Sequence, residues 1–286
     1  MVALEGLSVA DAFGEQLLHA GPHARGLAVE AREAPVGKRW MWTDDTAMAL
    51  SIVEMLRARG GIEIEELGHA FARRYVGDAA RGYGRGAHEV LAAIARGVPP
   101  QTAARMLFEG EGSCGNGGGM RAAPIGAYFA GDLAMTIEHA RRSAAPTHAH
   151  PDGIAGAVAV AVAACAVFGG ERDARALLET VVAATPAGPT RAGLQHAVSM
   201  LRADPVTVAT ELGNGSRVLA ADTVPFAVWC AATHLADYPG ALWACAKVGG
   251  DVDTTCAMVG GIVIGAVGVA AIPQDWRAAR EPLPAM

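Results

Sequence analysis

Trp40-Met41-Trp42-Thr43-Asp44-Asp45-Thr46-Ala47-Met48 is the stretch from which the fold is read. From Thr46 to Leu56 the apolar residues Met48, Leu50, Ile52, Val53, Met55 and Leu56 fall at helical spacing, so the Thr-Asp-Asp group sits at a helix N-terminus. On this stretch alone, a capping cluster and a cation site are equally good readings, because acidic residues favour the first helical turn while adjacent carboxylates repel unless a cation lies between them. A second stretch breaks the tie. Gly249-Gly250-Asp251-Val252-Asp253-Thr254-Thr255 again sets carboxylates and a hydroxyl ahead of an apolar run, Cys256 to Ile272. The two clusters are expected to face each other across one cleft. Hard oxygen side chains with no cysteine among them suit Mg²⁺, Mn²⁺ or Ca²⁺ rather than zinc.

Around these clusters lies a chain of 286 residues, 52% hydrophobic, with a mean hydropathy of +0.26, enough for an extensive core. A net charge of -6 with no Lys/Arg run excludes a nucleic-acid surface. The five cysteines, Cys114, Cys165, Cys230, Cys245 and Cys256, lie far apart in sequence without a C-x-x-C, and read as reduced packing residues of a cytoplasmic protein. Glu5 and Asp11 interrupt the first apolar residues, so no signal peptide is indicated. Gly153 to Gly170 and Cys256 to Ile272 are uncharged and approach the roughly 20 residues of a membrane span. Their Ala, Val and Gly content, without aromatic belts or flanking Lys/Arg clusters, fits buried helices better.

The rest of the chain punctuates into helices. Ala3 to Leu18 reads as the first, with Asp11 embedded in its apolar face and expected to bond a neighbouring helix end. His19 to Arg39, with Gly21, Pro22, Gly26, Pro35 and Gly37, reads as a long loop. Further helices are expected at Glu63 to Tyr75, after Gly86, at Thr102 to Phe108 beyond a break at Pro99-Pro100, from about Met120, and at Leu133 to Ala140. Later ones fall at Ala174 to Ala184, Thr190 to Leu201, Val206 to Leu212, Thr223 to Leu235 and Gly240 to Val248. Period-two alternation with hairpin signals is missing. The expectation is an all-α protein, a single domain over residues 1–286, and a monomer.

Two further constellations stand out. Gly115-Asn116-Gly117-Gly118-Gly119-Met120-Arg121 lacks the spacing of a Rossmann or P-loop motif, yet its glycines expose backbone N–H groups that a phosphate can approach. Thr147-His148-Ala149-His150-Pro151 forms a polar corner before a buried helix; a hydrogen-bonded neutral histidine at a helix start is favoured there over a metal ligand.

Taken together and in order, these motifs resemble the ADP-ribosylglycohydrolases over nearly the whole chain. Gly6 to Gly14 is similar to the family's first-helix motif, Trp42 to Thr46 to its first metal motif, Ser113 to Arg121 to its ribose and phosphate loop, and Thr147-His148 and Gly249 to Thr254 complete the order. The resemblance implies a compact orthogonal multi-helix bundle that holds two Mg²⁺, with Mn²⁺ as substitute, and hydrolyses the N- or O-glycosidic bond between ADP-ribose and an acceptor. It makes Thr43, Asp44, Asp45, Asp251, Asp253 and Thr254 the metal ligands. Phe108, Ser113, Cys114, Gly115, Asn116, Gly117, Gly118, Gly119, Met120 and His148 would bind substrate, with Phe108 against adenine. The partner implied is an ADP-ribose-containing molecule or an ADP-ribosylated protein, with no membrane. In this reading Asp44, Asp45 and Asp253 also serve catalysis.

Two departures accompany it. Cys114 stands where a second aromatic is common, and Leu18 stands where many members carry a glutamate, seven residues after Asp11. Glu15 is then the nearest substitute, one turn earlier on the same helix, with Glu30 and Glu33 as loop-borne rivals. Two other readings use the same residues: a dinuclear-metal phosphohydrolase, which ordinarily needs His-Asp ligands that this chain lacks, and a non-catalytic ADP-ribose binder.

Overall fold

In this computed structural model one N-terminal helix packs along a late helix over most of its length and meets the start of a third. The structure describes residues 1–35 and 39–285; Gly37, one of the residues that marked the expected loop, lies outside them. The helices are α1 (Val2–His19), α2 (Gly21–Ala31), α3 (Asp44–Arg59), α4 (Ile64–Gly77), α5 (Arg85–Ala95), α6 (Pro100–Met106), α7 (Gly117–Met120), α8 (Ala123–Tyr128) and α9 (Leu133–Ala144). They continue with α10 (Pro151–Phe168), α11 (Ala174–Ala184), α12 (Pro189–Ser199), α13 (Pro205–Leu212), α14 (Ala220–Thr233), α15 (Tyr238–Val248), α16 (Val252–Val267) and α17 (Gln274–Ala279). Among the described residues the only β pairing is two isolated bridges, Trp40 with Arg280 and Gly115 with Leu219. The fold is all-α.

α1 and α16 run antiparallel at unusually short range. A Cβ on Gly6 would stand 2.5 Å from the Gly260 carbonyl oxygen, and one on Gly14 would stand 2.5 Å from the Asp253 Cα. The hydroxyl of Tyr238 donates to the Gly6 carbonyl at 2.6 Å and fixes the other end of the pair. Glycine inside a helix costs about 1 kcal/mol relative to alanine; here it brings the first turn of α16, and with it Asp253, against the C-terminal half of α1. α10 is the second axis. It is the one described helix long and apolar enough to cross a bilayer, and 78% of it is buried inside the protein, as expected of a core helix. Gly126 of α8 lies so close to it that a Cβ would overlap the Ala161 carbonyl.

An aromatic cluster closes the outside of α1. Phe13 stacks on Trp276 of α17 at 4.5 Å and meets Trp243 edge-on at 4.8 Å. Trp40 joins them, its N–H donating to the Ala279 carbonyl and its carbonyl accepting from Glu281. Residues 40–43 are thereby pinned from outside by the segment around α17, a short helix that the sequence did not announce.

Three expectations are corrected. The segment after His19 is largely the helix α2, because Pro22 falls in the first turn, where its missing N–H costs nothing. For the same reason Pro100 opens α6 instead of breaking the chain, and that helix ends at Met106. α7 is a single turn that ends at Met120 and does not start there. The cysteines also meet more than their spacing implies: Cys230, Cys245 and Cys256, on α14, α15 and α16, are free and buried, close enough that each perturbs its neighbour's thiol.

Two outcomes follow from this packing. Gly6→Val is expected to lower stability by about 1–3 kcal/mol through overpacking against α16, read from the urea midpoint; an unmoved midpoint would contradict the close approach. His139 accepts the Ile62 N–H on Nδ1 at 3.0 Å and stacks on Phe129 at 4.6 Å. Burial first, and then the Arg142 charge, lower its pKa below 6.5. The unfolded chain therefore binds the proton more readily. Its contribution to stability is complete above about pH 6.5 and is lost as pH falls through the lower folded value. Melting curves at pH 7.5 and 5.5 should diverge less in His139→Gln than in the parent.

Candidate active site

Asp11 is buried in α1 and spends both carboxylate oxygens on the start of α3. Oδ1 accepts the Thr43 hydroxyl at 2.8 Å, and Oδ2 accepts the Thr43 N–H at 3.0 Å, the Thr46 N–H at 3.1 Å and the Thr46 hydroxyl. The remaining free donors of that helix end are met by the Arg81 carbonyl, which takes the Asp44 N–H at 2.7 Å, and by the Thr43 hydroxyl oxygen, which takes the Asp45 N–H. The aspartate bonds a neighbouring helix end, as its position in an apolar face implied. Burial, and then the facing Asp253, push its pKa up to about 7 against the pull of these donors.

Held in this way, Asp44 and Asp45 face the first turn of α16. The Thr254 hydroxyl donates to Asp45 at 3.3 Å. Burial first, and then the neighbouring carboxylates, raise the pKa of Asp44 and of Asp45 well above the usual range, and Asp251 is pushed up to about 8. Asp253 is the charge common to all of them, and its Oδ1 is buried with no hydrogen-bond partner. Among the described residues no three His, Cys, Asp or Glu side chains are closed into a ready cage for an ion. The acidic centre is an open ring of oxygens in which Asp253 makes Asp11, Asp44, Asp45 and Asp251 harder to ionise.

The glycine loop joins this ring through one bond. Asn116 donates to Asp251 Oδ2 at 2.6 Å and to the Thr223 hydroxyl at 3.1 Å. Gly115 donates to the Ser113 hydroxyl at 3.1 Å, and the Cys114 carbonyl takes the Ala220 N–H. Gly119 and Met120 turn their N–H groups inward onto the Asn116 carbonyl, and Asn116 gives its own N–H to the Val218 carbonyl. Gly153 of α10 supports it from behind, where a Cβ would stand 2.5 Å from the Ser113 carbonyl. Arg121 does not face the loop: it is buried, stacked on Phe71 at 4.6 Å and bonded to the Thr147 hydroxyl at 2.6 Å.

That bond sets the state of His148. The Thr147 hydroxyl accepts from Arg121 and has two acceptors for its own proton, His148 Nδ1 at 2.7 Å and the Ala144 carbonyl at 3.4 Å; with the proton on the nearer, Nδ1, the ring proton sits on Nε2. Nε2 would be 3.6 Å from a Cβ on Gly115, so this N–H faces the loop. Burial, and then Arg121, hold the imidazole neutral with a pKa lowered to about 3. His150 caps α10 instead, its Nδ1 accepting the Asp152 N–H at 3.1 Å.

Phe108 is 58% exposed with φ at +52°, beside Glu109 at +58°, and its ring edge rests near Gly86. A bulky residue held in the left-handed region is costly and marks a segment shaped for something other than packing. Glu15 is half-buried; burial first, and then Asp253, raise its pKa, and His19 bonds it at 2.8 Å. Glu30 and Glu33 are exposed, so of the three candidates Glu15 is the one partly buried within reach of Asp253. Leu18 is partly exposed.

The sequence missed the turn Gly213-Asn214-Gly215. The Asn214 carbonyl takes the Asp251 N–H, and its amide donates to the Val248 carbonyl at 3.1 Å. A Cβ on Gly215 would stand 2.6 Å from that of Asp251. Its signal was the Gly-Asn-Gly triplet. Arg81 was also missed: it stacks over Trp42 at 3.7 Å, donates to the Trp42 carbonyl at 3.0 Å and pairs with Glu281. One cavity of about 390 Å³ lies beside Arg81, Trp42 and Glu281, and another of about 530 Å³ lies between Arg175, Leu201 and Arg202; no acidic-centre residue lines either.

Comparison with known proteins agrees with this geometry. Residues 2–284 match the ADP-ribosylglycohydrolase family model. The chain is 31% identical to ADP-ribosylhydrolase ARH3 of Bos taurus over 84% of its own length and 74% of the relative's. Against the Homo sapiens protein of the same name it is 30% identical, with the same coverage. An uncharacterized protein of Archaeoglobus fulgidus is 30% identical over 95% of this chain and 88% of its own. A solved structure described as an ADP-ribosylglycohydrolase-related protein complex superposes with a TM-score of 0.70 at 25% identity, covering 98% of this chain and 90% of that one.

Asp11→Asn should destabilise the protein by about 1–3 kcal/mol, since an amide donor then confronts the hydroxyl and N–H donors of Thr43 and Thr46. Urea denaturation reads this directly; a stability equal to the parent's would show that the α3 end does not need the carboxylate.

Proposed function

The chain belongs to the ADP-ribosylglycohydrolase family, and on that premise we propose that it hydrolyses the glycosidic bond of ADP-ribose conjugates at the acidic centre. The observation that carries this reading is the orphaned Asp253 Oδ1 at the meeting point of two acidic helix starts, one of them tied through Asn116 and Asp251 to a glycine loop.

The donor set fits Mg²⁺ or Mn²⁺: carboxylates and hydroxyls, all hard oxygens. Thr43, Asp44, Asp45, Asp251, Asp253 and Thr254 would hold two such ions. When bound, they supply Lewis-acid polarisation of ribose hydroxyls and of a water. The protein's own groups do the rest. The loop from Ser113 to Met120 receives the diphosphate and ribose on backbone N–H groups, and His148 offers its Nε2–H to the same part of the ligand. Exposed Phe108 gives a ring face for adenine, and Cys114 packs beneath without stacking. Glu15, whose raised proton affinity suits it to carry a proton, acts at the scissile bond, taking a proton from the attacking water or giving one to the departing acceptor as positive charge builds on the sugar.

Incubation with Mg²⁺ and ADP-ribosyl-arginine, ADP-ribosyl-serine, O-acetyl-ADP-ribose or a plain phosphodiester tests the reaction class. Free ADP-ribose from at least one conjugate, with the phosphodiester intact, is the expected result; cleavage of the phosphodiester alone would replace this reading with a phosphohydrolase. Chelation should lower the melting temperature, because saturation at a hundredfold excess over Kd is worth about 2.7 kcal/mol per site. Asp45→Asn and Asp253→Asn should each cost at least a hundredfold in kcat/KM, about 2.7 kcal/mol of transition-state stabilisation, and His150→Ala less than threefold. Glu15→Gln at the parental single-turnover rate would return the proton transfer to an aspartate of the centre.

A further inference from the structure

α2 contributes no buried residue, yet it lies against α1 and α15 and carries Arg25 to the edge of the acidic centre. A Cβ on Gly249 would stand 2.8 Å from an Arg25 Nη2 and 3.4 Å from the central guanidinium carbon. Gly249 has φ at +68°, a conformation that glycine adopts freely, so the backbone leading into Asp251 is both shaped and stripped for this approach. Among the described residues Arg25 makes no hydrogen bond or ion pair. A guanidinium thus rests over the backbone two residues before Asp251, with no carboxylate committed to it.

Its side of the centre decides what it meets. The glycine loop reaches the ring through Asn116 and Asp251. α1 reaches it elsewhere, through Gly14 against Asp253 and through Glu15, and α2 follows α1 directly. In the hydrolase reading, a conjugate held by its diphosphate in the glycine loop would present its departing group to Glu15, on the helix that leads into α2. We propose that Arg25 selects the acceptor, favouring conjugates whose acceptor carries a carboxylate next to the modified side chain and disfavouring cationic ones. This rests on the hydrolase reading above. An unpaired guanidinium offers a planar set of donors that matches a carboxylate, whereas a second cation beside it meets like charge.

The test uses the full-length protein with Mg²⁺ and two ADP-ribosylated peptides that share whichever linkage the parent cleaves and differ only in glutamate or lysine flanking the modified residue. The parent should favour the glutamate peptide by about tenfold in kcat/KM at low ionic strength, falling with added salt, as expected of charges at a rim. Arg25→Glu should invert the preference and Arg25→Lys should keep most of it. The affinity for free ADP-ribose, measured by calorimetry, should stay within twofold in all three proteins. A preference that Arg25→Glu leaves unchanged overturns the assignment. So does a loss of ADP-ribose affinity in Arg25→Ala, which would put the guanidinium on the diphosphate. A parent protein that cleaves none of the conjugates fails at the earlier step, the hydrolase reading itself, and the acceptor assignment falls with it.

Discussion

A buried carboxylate that satisfies the exposed end of another helix is the contact on which this architecture turns. Asp11 takes two backbone N–H groups and two hydroxyls from the start of α3. Burying a charge is unfavourable unless donors replace the lost water, and four donors on one side chain come near the limit of what a carboxylate accepts. The arrangement fixes the helix axis and also the direction in which Asp44 and Asp45 leave it. Because Asp253 works against the ionisation of Asp11, the clamp and the centre it builds are in tension, which the proposed cations would relieve.

The opposite wall is set by shape and not by charge. Gly6, Gly14 and Gly260 let α1 and α16 approach until backbone touches backbone, so the distance from α1 to Asp253 is determined by the absence of side chains. α1 therefore delivers one acid to α3, one small-residue face to α16 and one further acid, Glu15, to the cleft. Asp11, Gly14 and Glu15 lie within about one turn on one face of a single helix, and a rotation of that helix would misplace all of them together.

Much of this was legible in the residues. The acid pairs at the heads of apolar runs marked α3 and α16 correctly, since apolar periodicity and capping chemistry point to the same boundary there. The uncharged run that became α10 was readable as a core helix from its small side chains. α2 was not readable, because a helix that buries nothing has no apolar stripe, and its Gly21, Pro22 and Gly26 resemble a loop until Pro22 is seen to occupy the first turn. The two histidines of the corner could not be told apart by sequence: His148 turns toward the loop and His150 caps its own helix. The Arg81 carbonyl, which holds Asp44, left no trace at all, because a backbone acceptor looks the same at every position, and that of Asn214, which holds Asp251, was marked only by its flanking glycines.

Arg81 lends its carbonyl to Asp44 while its guanidinium lies between Trp42 and Glu281. The acidic centre is thus braced by residues from near both extremes of the sequence, and its second acid pair comes from α16. Contacts so distant along the chain form late and slow the search for the native state. On a ribosome, the first motif emerges long before Asp251, and Asp251 before Glu281, so the centre assembles only after Glu281 has been made. A nascent chain that has made α3 holds its carboxylates without the frame that aims them.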